Sequence, residues 1–548
     1  MITPAGTPRP YRGVAFERVT GATRLFRDFL GGAAGIRPFF GPAGDDTKAV
    51  TALADELGAR AYPRAALHTA LADLAVEVGA SGPALTSIER FRHDDTLVVF
   101  AGQQTGLFTG PLYTVYKALT VERWARELSA RCGRRVVPMF WLPADDHDFA
   151  EIEGVEFPRG AALETIRYRP VPARSGEPVG RILIDAGIEE VTAQYAAALP
   201  DSEFKSDVFA ALRRAYAPGR RYVAAMARLW YELFPQSGLV FVSPDHPSVA
   251  RAAAPLFQKA LQDEGELYRL YRAASDLLLG RGYHAQVHKS PDQTFLLYQQ
   301  FQRHSIHRQG DTFLWEGSEP LTGDHLLERI VSHPDYFSAN VLLRPVVQNA
   351  LFPVLGVVLG PSEIAYYAQI GGLHDHFGVP RPLVLPRTSV TIVEATVARR
   401  LQRHGVDLVA LRADLDLEVA RALRARFPHD LHETLARAAG RIEAVFDEVR
   451  PAITSFEPTL EAPARAAGVR ARREMEQLTQ RAYAAHKRRE EETESQIRRA
   501  ALQVFPGGEL QERRFNIVYY WARYGPAWLA RLYEEWPTGE RDHLLWEG

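Results

Sequence analysis

Between residues 97 and 390 the sequence alternates short apolar segments with helical stretches, and each apolar segment ends in a glycine-rich or polar cluster. Strands separated by helices predict a mostly parallel sheet in an α/β fold. Because the carboxyl ends of parallel strands lie at one edge of the sheet, polar groups there converge on a ligand crevice. The predicted elements are the strands Leu97–Ala101, Val136–Leu142, Gly238–Val242, Val354–Leu359 and Leu383–Leu385, a helix over Pro111–Ala130 and a helix from Pro361 to about Phe377.

Two long segments interrupt this alternation. Residues 151–235 and 265–335 are too long for simple crossover connections, so we interpret them as inserted subdomains. The second contains two strand-like segments, Tyr283–Val287 and Thr294–Tyr298. Their spacing predicts a hairpin.

After Val390 the sequence changes character, because residues 394–505 contain almost no strand signal and are rich in Ala, Arg, Glu and Leu. Apolar residues from Ile442 to Phe456 form one helical stripe, which Pro451 is expected to kink. A second helix is predicted from Leu460 to about Val504. So long a helix cannot bury its apolar side alone, and we expect it to pair with the preceding helix or with another subunit.

Charge and cysteine content exclude several classes of protein. With 65 Lys+Arg against 67 Asp+Glu in 548 residues, the net charge of −2 does not fit a strongly basic nucleic-acid binder. No run of ~18 apolar residues predicts a membrane span, and Met1–Gly13 lacks the apolar region of a secretory signal. The single cysteine, Cys132, excludes an intrachain disulfide and a CxxC zinc site. We therefore expect a cytoplasmic protein with no nucleic-acid or membrane partner.

The first candidate site is the turn Gly102–Gly110, which joins a predicted strand to a predicted helix. Glycines let a phosphate or carboxylate approach the backbone, and the N-terminus of the next helix offers free N–H groups. Gln103, Gln104, Thr105 and Thr109 would add directed hydrogen bonds. The motif is neither a Walker A sequence nor GxGxxG, so a polar turn without a ligand is the alternative.

The second candidate site is Asp145-Asp146-His147-Asp148, directly after another predicted strand. Three carboxylates and an imidazole in four positions repel one another unless ions or cationic groups lie nearby. The cluster therefore fits a metal site or a general base. The alternative is a capped loop, since Asp favours turns and helix N-caps.

The third candidate site begins at Gly360, where a predicted strand ends and a helix begins. Ser362 lies in the first helical turn, and Glu363, Tyr366 and Gln369 form a polar stripe along one face of the helix. A negative charge in the first turn is favoured in any helix, so capping alone also explains Glu363. A polar stripe beside a glycine turn favours ligand binding.

Basic side chains from neighbouring segments would complete an anion site. Arg344 and Arg387 offer guanidinium groups, and Asn349 offers an amide. Lysine is rare in this arginine-rich chain, which makes Lys117, near a polar cluster, a candidate for a role that needs a compact ammonium. The residues alone predict an enzyme that binds an anionic, nucleotide-like ligand, and they do not identify its substrate.

These segments resemble the cysteine ligase family of bacillithiol biosynthesis, often called bacillithiol synthase. The resemblance spans nearly the whole chain in the same order, with Ser362 where glycine is expected. The matching segments are AGQQTGLFTGPLYTVYKAL (Ala101–Leu119), FWLPADDHDFAEI (Phe140–Ile152), NVLLRPVVQNALFP (Asn340–Pro353), LGPSEIAYYAQI (Leu359–Ile370), VLPRTSV (Val384–Val390) and FPGGELQERRFNIVYYWARYGP (Phe505–Pro526).

The resemblance implies a Rossmann-like core of the nucleotidyltransferase type with two connecting-peptide insertions. It also implies a C-terminal α-helical coiled coil that forms a homodimer. The expected segments are the core parts 1–150, 236–264 and 336–393, the insertions 151–235 and 265–335, the coiled coil 394–505 and a terminal segment, 506–548, that packs on the core.

The implied reaction joins the carboxylate of L-cysteine to the glucosamine amine of malyl-glucosamine, the last step of bacillithiol biosynthesis. Because an amide forms in water only from an activated carboxylate, ATP with Mg²⁺ is expected, through an adenylate or a phosphate. Zinc for thiol recognition stays open, since Cys-rich ligand spacing is absent. The HIGH and KMSKS adenylation signatures are absent as well.

The resemblance also gives each candidate residue an expected role. Two alternatives stay open, a metal-dependent phosphohydrolase centred on residues 145–148 and a non-catalytic coiled-coil scaffold that binds a nucleotide. In the ligase hypothesis, substrate or phosphate is held by Gln103, Gln104 and Thr105. Malyl carboxylates or phosphate oxygens are neutralised by Arg344 and Arg387. The cysteine ammonium, the glucosamine amine or Mg²⁺ is bound by Asp146, His147 and Asp148.

Overall fold

The structure is a computed structural model that describes residues 11–19, 21–171 and 176–547. Residues 1–10, which carry most of the segment Met1–Gly13 considered above, lie outside the described residues. The strands are β1 (Tyr11–Val14), β2 (Leu97–Gly102), β3 (Val136–Trp141), β4 (Gly154–Arg159), β5 (Ala162–Arg167), β6 (Val240–Val242), β7 (Gln293–Tyr298), β8 (His304–Gln309), β9 (Thr312–Leu314), β10 (Leu321–Thr322), β11 (Phe337–Ala339), β12 (Val354–Leu359), β13 (Leu383–Pro386), β14 (Val390–Ile392) and β15 (His543–Trp546). The helices are α1 (Phe16–Val19), α2 (Arg24–Leu30), α3 (Thr47–Gly58), α4 (Arg64–Val78), α5 (Gly82–Phe91), α6 (Leu112–Cys132), α7 (Gly187–Ala198), α8 (Lys205–Ala215), α9 (Tyr222–Leu233), α10 (Pro247–Gln262), α11 (Glu264–Gly280), α12 (Gly323–Ser332), α13 (Arg344–Leu351), α14 (Pro361–Tyr367), α15 (Gly371–His376), α16 (Ala395–Arg403), α17 (Ala410–Ala413), α18 (Leu415–Ala425), α19 (His429–Phe456), α20 (Glu461–Arg489), α21 (Glu491–Val504) and α22 (Ile517–Glu535).

A five-stranded parallel sheet, in the order β13-β12-β2-β3-β6, forms the centre of the protein. Leu97 of β2 pairs with Val136 of β3, and Val98 of β2 pairs with Val354 of β12. The five strands predicted from the sequence are these five, so the predicted α/β class is confirmed. Their carboxyl ends share one edge, and the three candidate segments follow directly from β2, β3 and β12.

The strands of this sheet are buried on both faces, which is why each reads as a continuous apolar run. In β2, Leu97 and Val99 belong to a core shared with α6, α9 and α22. Val98 and Phe100 belong to a second core on the other face, shared with α4 and α10. Successive side chains of a strand point to opposite faces, so helices on both sides are needed to cover them.

The first interruption contains an antiparallel hairpin of β4 and β5 and the helices α7, α8 and α9. The helices pack against the same core as α6. Buried aromatic side chains dominate these contacts, such as Tyr195 and Tyr222. This segment therefore covers one face of the sheet as well as extending from it.

The second interruption contains β7, β8, β9 and β10, which form an antiparallel sheet in the order β10-β9-β8-β7-β11 with α12 beside it, and β11 follows directly after the interruption. The predicted hairpin is wrong in its first strand, because β7 pairs with β8 and β11. Tyr283–Val287 is not a strand. The backbone N–H groups of Gln286 and Val287 donate instead to the side-chain oxygen of Gln369, at 3.0 and 2.9 Å, so these two groups are bonded without a neighbouring strand.

The longest C-terminal helices are α19 and α20, which pack along each other and are joined by a short turn. Pro451 lies within α19. The helix predicted from Leu460 to Val504 is two helices, α20 and α21, separated at Glu490. The Glu490 carboxylate accepts hydrogen bonds from Thr493 and Arg426, both at 2.7 Å, which fixes the chain at this break. No described helix combines the length and the apolar character needed to cross a membrane.

The last residues return to the core. Helix α22 packs against α6 and α8. Strand β15 lies between β1 and β14 in a three-stranded sheet, antiparallel to β1 and parallel to β14. Trp546 of β15 is fully buried. This sheet brings Tyr11–Val14 and His543–Trp546 together with β14, which follows β13 and Arg387 in the sequence.

Two buried histidines make the stability of this fold depend on pH. Burial lowers the pKa of His374 in α15 and of His543 in β15 from 6.5 to about 4. Because the unfolded chain takes up protons first, stability is complete above about pH 6.5 and falls as the pH drops towards 4, by up to about 3 kcal/mol per histidine.

We expect His374→Gln to reduce this pH dependence. Urea unfolding of the variant between pH 7 and pH 5 should give free energies of unfolding that change less with pH than those of the wild type. The exposed His429, at the start of α19, offers the control His429→Gln, which should keep the wild-type slope. Equal slopes for wild type and His374→Gln would contradict the assignment.

Candidate functional site

A cavity of about 220 Å³ lies at the carboxyl edge of the central sheet and opens to solvent on one side. The ends of β2, β3 and β12 form its floor, and α13 and α14 form its walls. Seven of the predicted site residues line it: Gly102, Gln103, Gln104, Asp146, Arg344, Glu363 and Tyr366. The other predicted residues lie outside the lining: Thr105, Thr109, Lys117, His147, Asp148, Asn349, Gly360, Ser362, Gln369 and Arg387.

The first turn contributes only its beginning to the cavity. Gly102 ends β2 beside Trp141, where a Cβ would lie 3.1 Å from the Cβ of that tryptophan, so glycine lets the two strands end side by side. Gln103 and Gln104 follow it into the cavity. The Gln104 side-chain amide donates to Asp146 Oδ2 at 2.9 Å, which joins the first candidate segment to the second.

The second half of this turn is buried away from the cavity. Thr105 and Thr109 are 2% and 1% exposed. Phe108 and Thr109 have left-handed backbones, with φ of 50° and 79°, which the Asn516 amide fixes by donating to the carbonyls of Phe108 and Gly110. The Leu112 N–H at the start of α6 donates to Phe515. The Leu112 N–H at this helix N-terminus is therefore already bonded within the protein, and the phosphate-binding role of the turn stays a prediction.

The acidic cluster divides into a buried and an exposed half. Asp145 is buried and Asp146 lines the cavity, whereas His147 and Asp148 are exposed. Burial raises the pKa of Asp145, against the charge of Arg303. Burial also acts to raise the pKa of Asp146, but the hydrogen bond from Gln104 and the charge of Arg303 together lower it.

The positive charge of Arg303 compensates the negative charges of Asp145 and Asp146. Arg303 lies 3.4 Å from Asp145 Oδ2 and 3.2 Å from Asp146 Oδ1. Within the described part of the chain, no group of three or more His, Cys, Asp or Glu side chains is placed to hold a metal ion. Residues 145–148 therefore do not by themselves form a complete set of protein ligands for a metal ion.

The third candidate segment also has two sides. The Gly360 N–H donates to Glu363 Oε2 at 2.7 Å, which closes the first turn of α14. Tyr366 continues the cavity wall, and Ser362 is exposed to solvent. Gln369 lies beyond α14 and turns away, donating to Ser275 and to the Val287 carbonyl. The helix predicted through Phe377 ends at Tyr367 and resumes at Gly371.

Lys117 connects the first and third segments from beneath the cavity. It is 2% exposed. Its ammonium donates to the Gly102 carbonyl at 2.8 Å and to Gln103 Oε1 at 2.9 Å, and it lies 2.5 Å from Glu363 Oε2. Burial lowers the pKa of Lys117, although the carboxylate of Glu363 opposes that shift. The Lys117 ammonium therefore joins the turn after β2 to the first turn of α14.

Arg344 differs from the other cations near the site. Arg387 pairs with Glu512 at 2.6 Å, just as Lys117 and Arg303 pair with their own carboxylates. Arg344 forms no ion pair with a carboxylate of the described residues. Its guanidinium contacts Gln348 and the Tyr366 hydroxyl, each at 3.3 Å, and lies over the Trp141 ring. A guanidinium in a cavity without a carboxylate partner is suited to bind an anion from solution.

Two functional contributions were not predicted from the sequence. Trp141 lies within the predicted strand Val136–Leu142 and ends the observed strand β3, and no motif marks it as a site residue. Arg303 lies 157 positions from Asp146 in the sequence, inside the second insertion, and no motif marks it. Asn349, by contrast, was predicted to bind an anion but bonds to His374 and Gln348 in the core.

Known families and proteins match almost the whole chain. The family model described as "Bacillithiol biosynthesis BshC, N-terminal Rossmann-like domain" matches residues 13–388, and that described as "Bacillithiol biosynthesis BshC, C-terminal coiled-coil domain" matches residues 390–547. A protein of Salinibacter ruber is 33% identical over 95% of both chains. One of Koribacter versatilis is 32% identical over 93% of this chain and 95% of its own, and one of Prosthecochloris aestuarii is 30% identical over 88% of each. All three carry the name "Putative cysteine ligase BshC".

Proposed function

The chain belongs to the BshC family of bacillithiol biosynthesis, and we propose that it is a ligase that joins the carboxylate of L-cysteine to the glucosamine amine of malyl-glucosamine. The observation that carries the proposal is that two complementary groups line the same cavity. These are the guanidinium of Arg344, which has no carboxylate partner among the described residues, and the carboxylate of Asp146. One group suits an anionic oxygen, and the other suits an amine. Both kinds of group occur in the two substrates.

The size of the cavity fits a small reacting group. At about 220 Å³ it lies below the range of about 300–1,000 Å³ that is typical of drug-sized ligands. An amino acid or a phosphoryl group fits inside, and the open side lets a larger molecule extend into solvent. The rest of malyl-glucosamine or of a nucleotide would therefore bind outside the cavity.

Amide formation in water needs an activated carboxylate, and we propose that ATP supplies it. Mg²⁺ at such sites is typically held by one or two carboxylates together with phosphate oxygens. Glu363, whose carboxylate lines the cavity, would hold the ion together with phosphate oxygens. We propose that polar and apolar contacts recognise the thiol, since the sequence lacks Cys-rich ligand spacing.

The residues of the site suggest a division of work. Arg344 would bind a malyl carboxylate or a phosphate oxygen. Gln103 would add a hydrogen bond, and Asp146 would accept one from the attacking amine. Because its lowered pKa makes Asp146 a weak base, the proton that the amine loses would pass on to His147, whose Nδ1 lies 3.6 Å from Asp146 Oδ1.

Purified protein with malyl-glucosamine, cysteine, ATP and Mg²⁺, each omitted in turn, tests the reaction by mass spectrometry. Bacillithiol that forms only in the complete mixture supports the ligase, and AMP or ADP then identifies the activated intermediate. Phosphate release without cysteine would favour a phosphohydrolase. Nucleotide binding with no turnover would favour the scaffold alternative.

The variant His147→Ala/Asp148→Ala tests the acidic cluster. Both side chains are exposed, so folding should be unchanged, and we expect the rate of product formation to fall by about 10²-fold, as is typical when a proton-transfer group is lost. His429→Ala/Asp430→Ala, at the exposed start of α19, is a matched control and should retain the wild-type rate. A wild-type rate in the first variant would reject the roles of His147 and Asp148.

We also propose that the coiled coil forms a homodimer. Helices α19 and α20 bury none of their residues completely, although they pack along each other. Their apolar side chains remain exposed, including Val445 at 53%, Val469 at 60% and Leu478 at 53%. A second copy would cover this apolar surface.

A further inference from the structure

The loop between β7 and β8, in the second insertion, contacts the acidic cluster at residues 145–148 through Arg303. Arg303, at the end of this loop, donates from Nη1 to Asp146 Oδ1 at 3.2 Å and from Nη2 to Asp145 Oδ2 at 3.4 Å. Its side chain is 14% exposed. Its Nε is buried and has no hydrogen-bond partner in the described part of the chain, so the two Nη groups hold the guanidinium in place.

The first insertion fixes the same loop from the other side. The Arg303 N–H donates to the Gly176 carbonyl at 3.0 Å, and Arg181 Nη1 donates to the Gln300 carbonyl at 2.6 Å. The first insertion also holds the backbone of the cluster, since the Val179 N–H donates to the Asp146 carbonyl at 2.7 Å. Both insertions therefore meet on Asp146, and Arg303 is the side chain that contacts its carboxylate.

The charges around the cluster make Arg303 the main compensating group. Two adjacent carboxylates, one buried, repel each other unless a cation lies between them. Asp245 is already paired with Arg221 at 2.8 Å, and Arg344 forms no ion pair with Asp145 or Asp146. The charged and titratable groups that face the two carboxylates are Arg303, Arg344, His147, Asp148, Asp245 and Asp335.

We propose that Arg303 is a positioning residue of the ligase site, which holds the Asp146 carboxylate in the orientation where Gln104 also binds it. The inference rests on the proposed function in taking Asp146 as the group that meets the substrate amine. It makes the second insertion part of the active site. Displacing its β7–β8 loop would change the charge and the orientation of a residue in the central sheet's cavity.

The variant Arg303→Met removes the charge and keeps much of the side-chain length. An aspartate beside an arginine typically has its pKa lowered by about 1–3 units. Removing Arg303 should therefore raise the pKa of the pair and move the acidic limb of the kcat/KM profile upwards by about one pH unit. Because the Asp146 carboxylate also loses its orientation, kcat/KM at neutral pH should fall by about tenfold or more. Arg303→Lys should keep the acidic limb near its wild-type position, because the positive charge remains. Its kcat/KM should still fall, because a lysine ammonium cannot reproduce the two hydrogen bonds of the guanidinium.

Arg308→Met is the matched control, since Arg308 lies on the same strand, is exposed and donates to the Gly310 carbonyl. It should leave the profile unchanged. An acidic limb that does not move in Arg303→Met, whatever the loss of rate, would show a merely structural role and overturn the proposal. A wild-type profile in that variant would overturn it as well.

A second measurement separates this inference from the proposed function. If the wild type forms no product, the melting temperatures of wild type and Arg303→Met are compared between pH 4 and pH 8. Because Arg303 stabilises ionised carboxylates, the difference should widen as the pH rises and close as the carboxylates take up protons. A difference that does not change with pH would overturn the positioning role even when no activity is available to follow.

Discussion

Lys117→Met is expected to destabilise the protein by about 3 kcal/mol and to remove most of its ligase activity. Lys117 is fully buried and pairs with Glu363. Removing one partner of a buried pair costs about 3–5 kcal/mol, because the other charge is left uncompensated. Glu363 is 25% exposed and can recover some hydration, so we expect a destabilisation at the lower end of this range. The Gly102 carbonyl and Gln103 lose a donor too, so the turn that opens the cavity is released. Urea unfolding and the product assay measure the two effects.

The double variant Lys117→Met/Glu363→Met separates stability from function. Replacing both members of a buried pair by apolar side chains is often nearly neutral, so most of the stability should return while the activity stays low. Lys289→Met is the matched control, because Lys289 pairs with Glu264 at 3.0 Å in the second insertion, away from the cavity. It should lose stability and keep the turnover of its folded fraction. A single variant Lys117→Met with wild-type stability would show that the pair does not form.

The core sheet could be predicted from the sequence because its strands are buried on both faces. A segment such as Val354–Leu359 must then be apolar throughout, and its bounds are visible where glycine and polar residues begin. Tyr283–Val287 meets a different criterion, because His284 and Gln286 alternate with less polar residues as in a half-buried strand. Its backbone instead bonds to the Gln369 side chain, which is distant in the sequence, so no local pattern distinguishes the segment from a strand.

The candidate site was predictable where a residue follows a strand directly. Gly102, Asp146 and Glu363 end or follow β2, β3 and β12, and all three reach the cavity. Gln369 shares the predicted stripe with Glu363 but lies beyond the end of α14, so helical spacing no longer places the two on one face. Arg303 arrives from another subdomain. Contacts of that kind depend on tertiary packing and leave no signal in residue spacing.

Arg344→Met is expected to lower kcat/KM by about 10²–10³-fold while the protein remains folded. The guanidinium forms no ion pair with a carboxylate of the described residues, so its removal leaves no buried charge unpaired. Its contacts with Gln348 and Tyr366 are at 3.3 Å, and each such bond contributes only about 0.5–1.5 kcal/mol. A bound anion, by contrast, would lose both the positive charge and the hydrogen-bond donors of the guanidinium when the arginine is replaced. A loss of rate of about 10²–10³-fold is typical when such a group is removed.

The comparison with Arg387 shows why the two arginines should behave differently. Arg387 is paired with Glu512, which is 1% exposed and also accepts from Ser389. Arg387→Met should therefore unfold at lower urea concentration, whereas Arg344→Met should unfold like the wild type. Arg344→Lys should recover part of kcat/KM, since an ammonium keeps the charge but cannot form two parallel hydrogen bonds. If Arg344→Met retains wild-type kcat/KM for every substrate, the anion is bound elsewhere. The presence of Arg344 and Asp146 in the same cavity then no longer supports a ligase site there.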